Sequence, residues 1–129
     1  MDAATVEITQ ENFEAVAEKE GIVLLDWWAS WCAPCRAFGP IYGRVATKHP
    51  DLTFGKVDTQ AQPELAAAFE IRSIPTLMIL RDRVLLFSQA GALPEEALED
   101  LIRQVRALDM AEVRARIAAQ GEKKEEPVA

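Results

Sequence analysis

The only two cysteines of this 129-residue chain stand together in the run Trp31-Cys32-Ala33-Pro34-Cys35. Two thiols at that spacing can close into one small disulfide ring and open again, so the pattern points to disulfide exchange. The attacking species in that chemistry is the thiolate. A free cysteine has a pKa of about 8.5 and is only about 3% ionised at pH 7, so half ionisation needs a shift worth about 2 kcal/mol. Pro34 suits the opening of a helix, where its missing N–H costs nothing. Cys32 then falls at the helix N-terminus, whose partial positive charge contributes roughly 0.3–1 kcal/mol, and a hydrogen bond from a second thiol or a backbone N–H can supply the rest. Cys35 falls inside the first turn, facing Cys32 at a separation a disulfide can span. Cys32 is the better nucleophile on this reading, and Cys35 the better resolving thiol.

Zinc is the competing use of a Cys-x-x-Cys pair. A structural zinc needs four ligands, and beyond these cysteines the chain holds a single histidine, His49. Carboxylates would have to complete the set, so no metal is expected. His49 reads as a surface residue near a helix end. Asp26 is more telling. It interrupts the apolar run Ile22-Val23-Leu24-Leu25-Asp26-Trp27-Trp28, six residues before Cys32. A carboxylate there is either paired or protonated with a raised pKa, and a raised carboxylate near a thiol is a proton acceptor of suitable strength. Lys56, at a matching place on the next strand, is either its partner or a surface lysine. Proline cannot donate into a central sheet, so the Pro of Ile74-Pro75 marks a strand start. Trp27 and Trp28 read as core, and Trp31 as an exposed residue that shapes a binding surface.

The elements needed to position these groups follow from periodicity. Residues 6–8 suggest a strand, and Thr9 an N-cap for a helix over 10–19 that Gly21 ends. Residues 22–28 form a continuous apolar strand of the kind buried on both faces. A helix follows from Pro34 to Lys48, with Phe38, Ile41, Tyr42 and Val45 on one stripe and a kink expected at Pro40. A strand over 52–58, a short helix over 63–69, a hairpin of 77–80 with 84–89, and a helix from Pro94 to Leu108 complete the pattern. Alternation of strands and helices gives parallel strands, and the terminal hairpin adds an antiparallel edge. The expected fold is α/β, a central mixed sheet flanked by helices on both faces. A short extra helix over 109–119 and a disordered charged tail over 120–129 would follow a main domain of residues 1–108.

Half of the residues are hydrophobic and the net charge is −7. Such a chain is globular, and its charge opposes binding to nucleic acid or anionic membranes. The first residues lack a basic, then apolar, leader pattern, so no signal peptide is expected. No apolar stretch approaches a membrane span. The expectation is a cytoplasmic protein in a reducing compartment, where a disulfide is catalytic and transient.

Taken together, these residues resemble the thioredoxin family over roughly residues 6–108. The family's buried aspartate matches Asp26, its redox motif Trp31 to Cys35, its in-helix proline Pro40 and its nearby lysine Lys56. Its cis-proline segment matches Ile74-Pro75-Thr76, and its glycine-alanine pair matches Gly91-Ala92. The resemblance implies a thioredoxin fold and a protein-disulfide reductase that donates electrons to disulfide-containing proteins and serves cell redox homeostasis. It implies attack by Cys32, resolution by Cys35 with help from Asp26, and Lys56 as partner in the proton relay. Substrate would lie against Trp31, Ala33, Pro34, Ile74, Pro75, Gly91 and Ala92. No bound cofactor is implied beyond the redox-active Cys32–Cys35 disulfide. Re-reduction would come from an NADPH-dependent thioredoxin reductase, and the protein would be a monomer. Three positions depart from the pattern. Ala33 replaces a usual glycine and retunes the redox potential, Arg83 stands where a turn glycine is common, and Thr59 replaces a more apolar residue near the binding surface.

Overall fold

The computed structural model describes residues 4–125, with side-chain surroundings through residue 121. Five strands form one sheet in the order β1-β3-β2-β4-β5. These are β1 (Thr5–Glu7), β2 (Ile22–Trp28), β3 (Thr53–Asp58), β4 (Thr76–Arg81) and β5 (Val84–Ala90). β1, β3 and β2 run parallel, while β4 and β5 are antiparallel additions. The helices are α1 (Phe13–Ala17), α2 (Ala33–Lys48), α3 (Pro63–Ala68), α4 (Glu95–Ala107) and α5 (Met110–Glu125). The mixed sheet with covered faces is the architecture that the strand–helix alternation predicts.

The period-two rule sorts β2 between two cores. Ile22 and Leu24 pack with Phe38, Tyr42 and Val45 of α2 and Leu98 and Ile102 of α4. Val23, Leu25 and Trp27 pack with Val16 of α1 and Val57 of β3 on the other face. The same alternation turns Asp26 and Trp28 toward α2. Gly55 leaves room for side chains where the sheet meets the second core. A Cβ there would lie 2.8 Å from Ile8 and 3.0 Å from Leu25 side-chain atoms.

Several boundaries differ from the sequence expectation, each for a local reason. The N-cap of α1 is Asn12 and not Thr9, and the two residues form a reciprocal pair just ahead of the helix. Thr9 Oγ1 accepts from the Asn12 N–H at 3.3 Å, and Asn12 Oδ1 accepts from the Thr9 N–H at 2.7 Å. That pair accompanies a turn over residues 10–12, and the helix starts at Phe13 and not at residue 10. α2 continues through Pro40 with helical backbone on either side. α5 runs on to Glu125, so residues 120–125, read from composition as tail, are helical. Gln, Glu and Lys are good helix formers, and only Gly121 weakens the run. The remaining tail, residues 126–129, lies outside the described residues.

The β4–β5 turn is informative. Asp82 and Arg83 both adopt positive φ, 51° and 70°, the backbone that a two-residue hairpin loop favours. The turn is therefore of the kind a glycine would serve, despite Arg83. Neighbours hold it in place. Asp82 Oδ1 accepts from the Gly21 N–H at 2.8 Å, and Arg114 of α5 donates to the Asp82 carbonyl at 2.9 Å. Arg81 donates to the carbonyls of Val105 at 2.8 Å and Leu108 at 2.9 Å, fastening the α4–α5 junction to the sheet. Asp109 caps α5 by accepting from the Ala111 and Glu112 N–H groups. All of this lies at the sheet end opposite the dithiol, which sits beyond the C-terminal ends of β2 and β3.

Candidate active site

Cys32 and Cys35 form a disulfide with their Cα atoms 5.2 Å apart. Cys32 is the N-cap of α2 in extended backbone, and Pro34 lies in the first turn. The Cys35 N–H donates to Cys32 Sγ at 3.2 Å. That donor and the helix N-terminus together favour negative charge on Cys32. Burial does not separate the two cysteines, since both are 4% exposed. The asymmetry between them lies in that hydrogen bond and in what each sulfur faces.

Cys32 Sγ lies 3.6 Å from the Ile74 carbonyl oxygen. The Ile74–Pro75 peptide is cis. The Gly91 N–H donates to the Pro75 carbonyl at 2.8 Å, and Gly91 has φ +112°, a conformation that L side chains rarely adopt. These bonds bring Ile74, Pro75, Gly91 and Ala92 to one rim with the exposed Ala33 and Pro34. Trp31 stands 64% exposed beside it. Thr59, the polar departure, donates from both N–H and hydroxyl to the Trp28 carbonyl, at 2.8 and 3.0 Å. It ties the β3–α3 loop to the end of β2.

Behind the pair lies Asp26, only 1% exposed. Neither carboxylate oxygen has a hydrogen-bond partner among the described residues. A carboxyl in that setting resists ionisation. Burial raises its pKa to about 7, and the positive charge of Lys56 opposes part of that rise. Lys56 is paired in register with Asp26 across β2 and β3, and its Nζ lies 4.9 Å from the centre of the Trp28 ring.

Three contributors to the site were not visible in the sequence. Trp28 is half-buried and walls two clefts, one of them lined also by Cys35, where core was expected. The β2 alternation could have found it, since it shares the face of Asp26. Arg36 donates to the Ser30 carbonyl at 3.0 Å and fastens the loop that carries Trp31. Tyr42 donates to the Gly55 carbonyl at 2.8 Å. Burial pushes its pKa well above the usual phenol value, and the nearby Asp26 charge adds to the rise. His49 lies at the end of α2, bonded to Glu99 and Arg106, so it joins α2 to α4. Among the described residues no group of three His, Cys, Asp or Glu could hold a metal ion. No helix among them is long and apolar enough to cross a membrane.

A redox-active dithiol at a helix N-terminus, facing an X–Pro bond across a mixed sheet, defines a thiol–disulfide oxidoreductase. The comparisons agree. The Thioredoxin family model matches residues 4–104, and the chain belongs to the thioredoxin family. It is 59% identical over 117 residues to a Streptomyces coelicolor protein named "Putative thioredoxin 2", covering 91% of this chain and 87% of that one. It is 37% identical over 100 residues to Thioredoxin C-3 of Corynebacterium nephridii, covering 77% of this chain and 69% of that one. It is 35% identical over 102 residues to the thioredoxin of Bacillus subtilis, covering 78% and 97%. The activity is thiol–disulfide exchange, and the Cys32–Cys35 couple is the redox centre.

Proposed function

We propose that the protein is a general cytoplasmic protein-disulfide reductase, acting as a monomer and recharged by an NADPH-dependent thioredoxin reductase. The observation that carries the residue roles is the Cys35 N–H donated to Cys32 Sγ, with that sulfur beside the Ile74 carbonyl. In the reduced protein the Cys32 thiolate attacks one sulfur of a substrate disulfide. A Cys32–substrate bond forms, the substrate S–S bond breaks, and the departing thiolate takes a proton from water. Cys35 then loses its proton to Asp26, which stands on the β2 face turned toward α2 and whose pKa burial raises to about 7. The Cys35 thiolate attacks Cys32 Sγ, and the second substrate thiolate leaves. Two electrons have passed to the substrate, and the Cys32–Cys35 disulfide seen here is the product. Lys56 tunes Asp26, and the rim of Trp31, Ala33, Pro34, Ile74, Pro75, Gly91 and Ala92 receives the substrate chain. Ala33 and Pro34 also set the redox poise.

The test follows NADPH oxidation with a purified thioredoxin reductase and a disulfide-bonded protein substrate. Turnover should depend on this protein. A chain lacking residues 110–129 should retain that turnover, because α5 is fastened at the end of the sheet away from the dithiol. Loss of turnover in the shortened but folded chain would instead make α5 a partner-docking element.

A further inference from the structure

The chain is acidic overall, with net charge −7, and several of its surface cations are matched. Arg44 and Lys48 meet Glu95, and Arg106 meets Asp51. Two cations beside the dithiol are different. Among the described residues neither Arg36 nor Lys56 has a carboxylate within ion-pair distance. Asp58, the nearest acid along β3, accepts instead from the Gln60 and Ala61 N–H groups.

Both cations line one cleft of about 360 Å³, whose other walls are Trp28, Cys35, Gly39 and Pro40. No acidic residue lines it. Lys56 is placed by the Trp28 ring on one side and by α2 on the other, where its Nζ lies 3.8 Å from the position of a Cβ on Gly39. Arg36 is placed by its bond to the Ser30 carbonyl. The cleft therefore presents two positive charges and an aromatic wall next to the resolving cysteine, while Glu7 and Asp58 line the neighbouring cleft that shares Trp28 and Lys56. The volume of the Cys35 cleft accommodates one carboxylate-bearing side chain.

Resting on the disulfide-reductase reading, we propose that this cleft seats an Asp or Glu side chain of the substrate protein, carried close to the attacked disulfide, with Arg36 as the specificity-determining residue. A carboxylate there gains a positive environment that the rest of this acidic surface denies it, and a lysine in the same place is repelled. The seated acid also offsets the Lys56 charge that opposes the rise in the Asp26 pKa. Asp26 is then a stronger base while the mixed disulfide is being resolved.

The test uses three disulfide-linked peptides, identical except for Glu, Ala or Lys beside the cystine, with the reduced full-length protein as reductant. The second-order rate should fall in the order Glu, Ala, Lys, with a spread of roughly three- to tenfold at low salt that narrows as salt screens the charges. Arg36→Lys should keep the order, and Arg36→Glu should compress or invert it. Any general effect of losing the Ser30 bond would move all three peptides together, so the ratio is the readout. One common rate for the three peptides, or an order unchanged in Arg36→Glu, overturns the proposal alone. Failure to reduce even the Ala peptide overturns the disulfide-reductase reading, and this proposal with it.

Discussion

Cys32→Ser is expected to lose disulfide reduction by at least about three orders of magnitude, because the hydroxyl that replaces the thiol neither ionises near neutral pH nor forms the mixed disulfide. The change is nearly isosteric and the site lies at a helix cap, so the fold should survive. Cys35→Ser has a different expected outcome. Its Cys32 still receives the residue-35 N–H, keeps its position at the N-terminus of α2, and still attacks. With no resolving thiol the reaction stops at the mixed disulfide. Mass spectrometry of Cys35→Ser incubated with a disulfide substrate should show a covalent adduct through Cys32, absent from Cys32→Ser. An adduct through residue 35 in Cys32→Ser, at comparable rate, would reverse the assignment.

The second large effect concerns Asp26. Its carboxyl is buried without a hydrogen-bond partner and its pKa is raised from 3.8 to about 7. A carboxyl raised in the folded state binds its proton more tightly there than in the unfolded chain. Stability is therefore fullest below about pH 4, falls as pH rises from 3.8 toward about 7, and levels off above that. The fall is on the order of 4 kcal/mol for a shift of this size. Asp26→Ala should remove it. The variant should be more stable than the parent at pH 7 by about 2–4 kcal/mol, with the gap closing toward pH 4. Other acids such as Asp51 and Asp82 have lowered pKa values and bend the pH curve the other way. They are common to both proteins, so the difference in urea midpoint between parent and variant isolates Asp26. The same variant should resolve mixed disulfides tenfold or more slowly near neutral pH, since positioned proton acceptors contribute on the order of 10²–10⁴. A variant that is less stable than the parent at pH 7 and resolves equally fast would contradict a buried, raised Asp26.

The sequence made the positions of greatest chemical consequence readable because each breaks a local rule. Asp26 interrupts an apolar strand, Pro34 opens a helix beside two thiols, and Pro75 begins a strand. What it left unreadable depends on contacts between distant segments. The Arg36 bond to Ser30 and the Tyr42 bond to Gly55 leave no periodic trace, because an arginine or a tyrosine on a helix fits many roles. Trp28 was read as core from its place in the apolar run, although alternation along β2 puts it on the face of Asp26. The start of α1 was hidden by the reciprocal Thr9–Asn12 pair, which joins two residues ahead of the helix. At the far end, Arg83 argued against the turn that forms. The bonds that hold this turn come from Gly21 and from Arg114, 61 and 32 residues from Asp82 in the chain.

The reduction potential of the Cys32–Cys35 couple tests the central claim most directly. Equilibration of the full-length protein with glutathione or dithiothreitol buffers, read by thiol alkylation, gives the value. A disulfide reductase should lie near the value of about −270 mV that thioredoxins show as a class, with Ala33 responsible for any modest offset. A potential near −120 mV, the range of a strong thiol oxidant, would contradict the reductase account.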